Sequence, residues 1–547
     1  MEGAVPMNRK NHRFNFSTRV LMVVCLLLYP SGPFTSTLGV AASPIPARAT
    51  SISTPVGQGV LSPSSVPGAG SPFVRHAGAT IQLRKVPSTF AAIRPGGIRV
   101  AALALASPQA VGGVEYASLV QVIDTSQWSP RSPDPSGIAY RASSNTLLIV
   151  DGEVEEMPAL FAGKNVFEAS LSGSLLGTFS TIGFTNEPVG VAVNPANGHI
   201  FISDDSKERV FEIDAGPDGL YFTSDDLRTS FSTLAFSTDP EGLAFGQGNL
   251  FVTDGVNAEI NVVNPGPNGM FDGVPPAGDD QLTNFDTAVL GIRDPETVEF
   301  NDETGTLFIV SRLDLLMVET TTTGQLIRKI DIACADALYP AGLALAPGSQ
   351  NPGVRNLYIA ARGVDNNQDP NENDGKIYEV ALNAPPPPPD NLLRNSSFET
   401  DANADTICDC WSRNDKKPFV TRSNGDGVVT PIDGNFVMRH QAPEAGYSIG
   451  ELVHNLTPGA TYTLSGWVNI PPTSDAFSFK LQVRWLTESG AAISTKTVKT
   501  YSASTSGWNL ATKNLVAPAN AVRALIRMDV SGLSAAVYLD ALVFKQL

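Results

Sequence analysis

The sequence predicts an all-β protein built as a ring of repeats followed by a second β unit. Three observations carry that prediction: a seven-residue motif that recurs five times, a proline run at Ala384–Asp390, and alternating apolar strands beyond it. At 547 residues, 42% of them apolar, the chain is too long for one core and too apolar to be disordered.

Residues Asn8–Arg19 hold Arg9, Lys10, Arg13 and Arg19 without an acid, and Val20–Tyr29 is a short apolar run closed by Pro30. This is the layout of a signal peptide, with Val40 and Ala42 as the small residues before a cut after Ala42. The run falls short of the ~20 residues a spanning helix needs, so no transmembrane anchor is expected and residues 1–42 read as a leader for secretion. Residues 43–113, rich in Ser, Pro, Ala and Gly, read as a low-complexity spacer. A net charge of −17 and a pI near 4.8 exclude nucleic acid and anionic membrane as partners, because phosphate binding needs a basic surface.

The repeated motif is acid, Pro, x, Gly, aliphatic, Ala, apolar. Its copies are DPSGIAY from Asp134, EPVGVAV from Glu187, DPEGLAF from Asp239, DPETVEF from Asp294 and YPAGLAL from Tyr339. Each precedes a turn and a second apolar run (NTLLIVD, GHIFISD, GNLFVTD, GTLFIVS, RNLYIAA), with a third strand in most copies and a fourth in several. Short strands at this period predict propeller blades, which bury both faces only when a ring closes. Five blades are expected over residues 114–383, with six as the alternative. The last copy ends after three strands, and Ala117–Trp128 is the candidate for its missing outer strand. On the segments GPDGLYFTSDD and NENDGKIYEV the region resembles extracellular bacterial propellers of the NHL-like and SdiA-regulated type, a resemblance that implies a fold and leaves function open.

Residues 384–390 read as a polyproline linker that keeps its neighbours apart as a semi-rigid rod. Residues 391–547 open with NLLRNSSFE, continue with LTPGATYTLSGWV and close with AVYLDALVF, and so resemble CenC-type carbohydrate-binding modules. The resemblance implies a β-sandwich jelly-roll and a structural calcium joining its first and last strands, with Glu399 and Asp540 as ligands.

Alternation assigns faces independently. Phe477, Phe479, Leu481, Val483 and Trp485 form one core face, leaving Gln482 and Arg484 outside. Trp467 points out of Tyr462–Ile470, and Arg523, Arg527 and Asp529 point out of Val522–Val530. Trp467, Gln482, Arg484, Arg527 and Asp529 are therefore the candidate ligand residues: an indole offers a flat surface to a sugar ring, and amide, guanidinium and carboxylate groups meet hydroxyls. The basic members favour an acidic polysaccharide.

Acidic loops in the repeats offer hard oxygen donors for calcium. They are Asp214, Asp218 and Asp225, the echo at Asp272, Asp279 and Asp280, and Asp369 with Asp374. Ordinary turn chemistry is the competing explanation. The acids that open four copies, Asp134, Glu187, Asp239 and Asp294, and Asp151, Asp204 and Asp254 that end the second strands, can gather near the ring centre, where a ring of carboxylates could hold a cation or serve acid/base work; their repetition favours a turn-capping role. Of the cysteines, Cys25 lies in the leader and Cys334 stands alone, while Cys408 and Cys410 read as a buried thiol or a local disulfide rather than metal ligands. Gly446-Tyr-Ser448-Ile-Gly450 fits a nucleophile elbow but precedes a strand, the wrong context for one.

Two functions stand. One is a secreted protein binding polysaccharide or cell-surface glycan, whose calcium-stabilised propeller loops present a surface to a protein partner. The rival is an extracellular hydrolase of glycosidic, ester or phosphoester bonds with an appended sugar-binding module.

Overall fold

The structure, a computed structural model, describes residues 113–547 apart from 312–315, 365, 367–368, 403, 405 and 414–419. The expected leader and all but the last residue of the expected spacer lie outside the described residues.

Strand β1, Val114–Asp124, comes first. Four-stranded antiparallel sheets come next in chain order. The first is β2 Pro135–Arg141, β3 Thr146–Asp151, β4 Val166–Ser170 and β5 Leu175–Phe179. The second is β6 Pro188–Val193, β7 Ile200–Asp204, β8 Arg209–Asp214 and β9 Leu227–Ser232. The third is β10 Pro240–Gly246, β11 Asn249–Asp254, β12 Glu259–Asn264 and β13 Gln281–Asp286; the fourth is β14 Pro295–Asn301, β15 Thr306–Ser311, β16 Leu316–Thr321 and β17 Leu326–Asp331. The second strand of each is rich in branched and aromatic residues and buried on both faces, as in LFVTD and LFIVS, because sheets pack against it from both sides. Two ring contacts between neighbouring sheets are Phe201 on Phe245 and Phe251 on Phe300, with centroids 5.7 and 6.0 Å apart.

The last repeat supplies β18 Pro340–Pro347, β19 Arg355–Ala361 and β20 Lys376–Ala384. Its fourth strand is β1, which runs antiparallel to β20 with Leu119 opposite Val380 and Ile123 opposite Ile377. The start of β1 also pairs in parallel with β17, Glu115 opposite Ile330, so the fourth and fifth sheets are one continuous eight-stranded sheet.

The opening strands β2, β6, β10, β14 and β18 neighbour one another in sequence, and β18 returns to β2. The motif glycine explains how they come so close. A Cβ on Gly137 would stand 2.8 Å from the Val189 carbonyl oxygen, one on Gly190 2.6 Å from that of Glu241, and one on Gly342 2.8 Å from that of Ser136. The fourth copy carries Thr297 instead of glycine. It fits because its neighbour is Gly242, where a Cβ would lie 2.1 Å from the Thr297 hydroxyl oxygen.

The C-terminal half contributes β21 Ser412–Arg413, β22 Val420–Ser423, β23 Val437–Val453, β24 Thr461–Asn469, β25 Ser478–Leu486, β26 Ala492–Tyr501, β27 Asn509–Val516 and β28 Arg523–Gln546. β28 runs for 24 residues and serves two layers. Its first part pairs with the end of β23 and with β25, which carries β26; its last part pairs with the start of β23 and with β24, which carries β27. The inward set is Ala524, Ile526, Met528 and Val530 in the first part, shifts to Leu533, Val537 and Leu539 past Gly532 (φ +62°), and returns to Leu542 and Phe544 past Ala541 (φ +47°). The layers share one core, where Tyr462 of β24 meets Trp485 of β25 at 5.8 Å and Phe544 of β28 at 5.2 Å.

The halves on either side of the prolines touch. Cys334, expected to stand alone, forms a disulfide with Cys410, and Cys408 is buried outside the bond. Beside the disulfide, Asp331 at the end of β17 accepts from His454 Nε2 at 2.8 Å and pairs with Arg394 Nη1 at 3.1 Å, while Arg394 also pairs with Glu451 at 3.1 Å. Asn455 exchanges two hydrogen bonds with the backbone of Val114, so β1 is held at the same seam. Contact, rather than a rod-like gap, therefore relates the two halves.

Candidate functional site

The acids of the repeats divide into two groups that look alike in sequence. Asp151, Asp204 and Asp254 end β3, β7 and β11, are fully buried, and are occupied by local donors. Asp151 accepts from the Ser132 hydroxyl at 2.7 Å and the Asp134 and Val154 amides at 3.0 Å; Asp204 accepts from the Thr185 hydroxyl at 2.5 Å and the Lys207 amide at 2.8 Å; Asp254 accepts from the Asn257 amide at 2.8 Å. These are turn caps that tie each second strand to its flanking loops.

The acids that open the motif are held differently. Asp134 is fully buried, and its partner is another carboxyl: Glu372, in the loop before β20, shares a side-chain hydrogen bond with it. Burial, then the charges of neighbouring acids, raises both carboxyls well above the ordinary range. Glu187 and Asp239 open the next two copies and are raised by burial first, then in Asp239 by Asp254 and Asp294. With them stand Asp205 and Glu241, raised in the same sense, and Glu155, pushed up to about 8 by burial.

Arg362 directly follows β19 and is the shared cation of this mouth, with Nη1 3.5 Å from Glu153 and Nη2 3.9 Å from Glu241. Ala361, opposite the motif proline Pro340, takes the place of the capping acids Asp151, Asp204 and Asp254, and Arg362 comes one residue later, where earlier copies have Gly152, Asp205 and Gly255. The loss of the capping acid at Ala361, followed at once by a base, is the signal in the sequence that could have located the mouth. Asp205 and Glu241 had no such marker, since one comes after a capping acid and the other fills the variable motif position.

The ligand residues expected on the C-terminal half fall on two surfaces. Gln482 is opposite Arg527 and Lys480 opposite Asp529 on β25 and β28. Arg527 donates to Asp529 at 2.5 Å, Gln482 donates to Thr497 at 3.1 Å, and Arg484 lies one step further along β25. Trp467 is on β24, in the other layer, half-buried on its outer side and opposite Asp540 and Leu510. Because the inner sides of β24 and β25 meet at Tyr462 and Trp485, their outer sides face away from each other. Trp467 therefore does not share a surface with the arginines.

Glu399 and Asp540, which the resemblance paired through calcium, converge on one loop. Glu399 accepts from the Asn435 and Phe436 amides at 3.0 and 2.8 Å, and Asp540 from the Ile432 and Asp433 amides at 2.6 and 3.1 Å. Gly434, at φ +69°, lies between them, and a Cβ there would stand 2.3 Å from the Glu399 carboxylate. In the repeat loops, Asp225 accepts from the Asp218 amide at 3.2 Å, Asp214 is 3.7 Å from His199, and Asp218 accepts from Leu220 at 2.8 Å. Asp369 accepts from Asn371 at 3.0 Å and Asp374 from Val364 at 3.0 Å. Asp272, Asp279 and Asp280 bring an oxygen each within 4.8 Å of one another. No helix among the described residues is long and apolar enough to cross a membrane.

No protein-family model and no curated protein matches the sequence. Solved structures do. The chain is similar to the enzymatically active domain of tailspike protein 4 of bacteriophage CBA120 (16% identity, 29% of this chain and 21% of that one, TM-score 0.24). It is also similar to glutaminyl cyclase of Myxococcus xanthus (12%, 50% and 98%, TM-score 0.32) and to the C-terminal family 22 carbohydrate-binding module of Clostridium thermocellum Xyn10B (14%, 28% and 90%, TM-score 0.22). The chain spans about a fifth of the tailspike domain.

Proposed function

We propose that the protein is secreted and binds polysaccharide through its C-terminal half, read as a jelly-roll, while the repeats form a five-bladed propeller fixed against it. Calcium held by Glu399 and Asp540, and in the propeller loops, is part of this reading. The observation that carries it is the row Arg527, Gln482, Arg484 and Asp529 on adjacent strands. Arg527 is buried to 7% exposure and its Nε has no acceptor, so a donor is left over on a rigid sheet. Guanidinium groups so placed suit carboxylate-bearing sugars. The cross-seam disulfide supports an oxidising compartment and hence export.

The test is binding of the full-length protein to a panel of neutral and acidic polysaccharides, with Arg527→Ala and Trp467→Ala made separately. Loss in Arg527→Ala with retention in Trp467→Ala places the ligand on the β25–β28 surface. The reverse result moves it to the β24 surface, and no binding to any glycan rejects the reading.

A further inference from the structure

Independently of any glycan, we propose that the mouth of the ring is a binding site for a hard divalent cation, with Glu187, Asp205, Asp239 and Glu241 as ligands. Carboxylate oxygens of Glu187, Asp204 and Asp205 lie within 4.8 Å of one another, as do those of Asp205, Asp239 and Glu241, so Asp205 joins two three-acid groups. Asp204 is held by Thr185, Ser206 and Lys207, whereas Glu187 meets Ser206, Asp239 accepts from the Val256 amide and Glu241 faces Arg362, so each of these carboxylates keeps lone pairs for an ion.

A second observation points to a missing positive charge. Oδ1 of Asp205, the acid common to both three-acid groups, is shut off from water and receives no donor. Protein interiors rarely leave such atoms unpartnered, since each costs about 1–3 kcal/mol, and more when charged. Arg362 brings one charge to a mouth whose acids include Asp134, Glu187, Asp205, Asp239 and Glu241. The donor set holds no nitrogen or sulfur ligand, which selects calcium- or magnesium-like ions over zinc or copper. Four carboxylates from two neighbouring sheets suit the larger, less demanding calcium ion. Glu187, Asp205 and Asp239 are only half-buried, so one side of the site faces solvent and an outside oxygen ligand can complete the shell.

The test uses the full-length protein stripped with EDTA and compares wild type with Asp205→Asn/Glu241→Gln. Asp272→Asn and Asp540→Asn serve as controls for the other acidic groups. Calcium binding is followed by calorimetry, and melting is followed with EDTA or calcium present. The proposal expects the double variant to lose one bound equivalent, or at least tenfold in its affinity, while both controls keep it. It also expects crossing stabilities: in EDTA the double variant melts at or above wild type, because two repelling acids are gone, and in calcium it melts below. Unchanged stoichiometry together with unchanged affinity in the double variant overturns the proposal, as does a wild type that binds no calcium. If the double variant does not fold, Asp239→Asn carries the same comparison.

Discussion

Cys334, just past the end of β17, is bonded to Cys410 in the C-terminal half, 76 residues further along the chain. The bond closes a loop that includes β18, β19, β20 and the whole proline run, so it constrains the unfolded chain strongly. For a loop of this length the chain-entropy estimate is about 4 kcal/mol. Cys334→Ser is expected to lower the guanidinium midpoint by a corresponding amount. It should also separate one unfolding transition into two as the halves lose their tie. A single unshifted transition would show that the ion pairs alone hold the seam.

Acid should loosen the protein in two steps with different causes. Burial alone would raise both the Asp331 carboxyl and the cost of its charge, but Arg394 and His454 outweigh burial and hold it at about 2. A carboxyl with a depressed folded value contributes stability above its unfolded value near 3.9, and that contribution is lost between about pH 4 and pH 2. His440, buried beside the Tyr447 hydroxyl at 2.9 Å, is pushed down to about 3 by burial. Folding holds it neutral, so stability falls from about pH 6.5 towards pH 3, by roughly 1.4 kcal/mol per unit of difference. His440→Gln is expected to flatten the melting temperature between pH 6.5 and 4 while leaving the drop below pH 4; an unchanged slope would reject the histidine as its source.

Gly190→Ala should be among the most damaging single changes in the repeats. Its Cβ would lie 2.6 Å from the Glu241 carbonyl oxygen and 2.8 Å from the Gly242 Cα, both backbone atoms that cannot turn aside. Gly248→Ala, with no atom within 4 Å but φ +77°, separates backbone strain from crowding. Thermal melting should show a loss of several kcal/mol at Gly190, in the overpacking range or above it, and about 1 kcal/mol at Gly248.

Removing residues up to Asp124 should expose two strand edges at once, since β1 pairs with both β20 and β17. It also takes away Glu115, whose carboxylate meets Arg328 at 2.9 Å. Exposed edges recruit other chains, so the truncated protein is expected to elute as aggregates in size-exclusion chromatography. A monomer with an intact melting curve would show that β1 is dispensable.

The repeating architecture was readable in the sequence because a ring imposes one backbone demand at every position. Gly137, Gly190, Gly242 and Gly342 answer that demand, and the interruption at Thr297 is absorbed by its neighbour. The acidic mouth was not readable, because Asp151 and Asp134 look equivalent until their donors are seen. Alternation correctly put Trp467, Arg484 and Arg527 on the outer sides of their strands, but it says nothing of which layer a strand joins. Pairing decides that, and β28 belongs to both layers. The Cys334 bond was hidden for the same reason: its partner lies across a seam between halves that composition had separated.

Strand β1 has a consequence for how the molecule is made. It leads the repeats in the chain, yet its main partner, β20, is the last strand of those repeats to be synthesised. Only its first residues, Val114–Tyr116, can pair earlier, with β17 after four sheets; the rest, apolar at Ala117 and Ile123, must wait for β20 before the ring can lock. Maturation of the repeats is thereby tied to arrival of their last strand: a product truncated before Lys376 leaves most of the latch with nothing to catch.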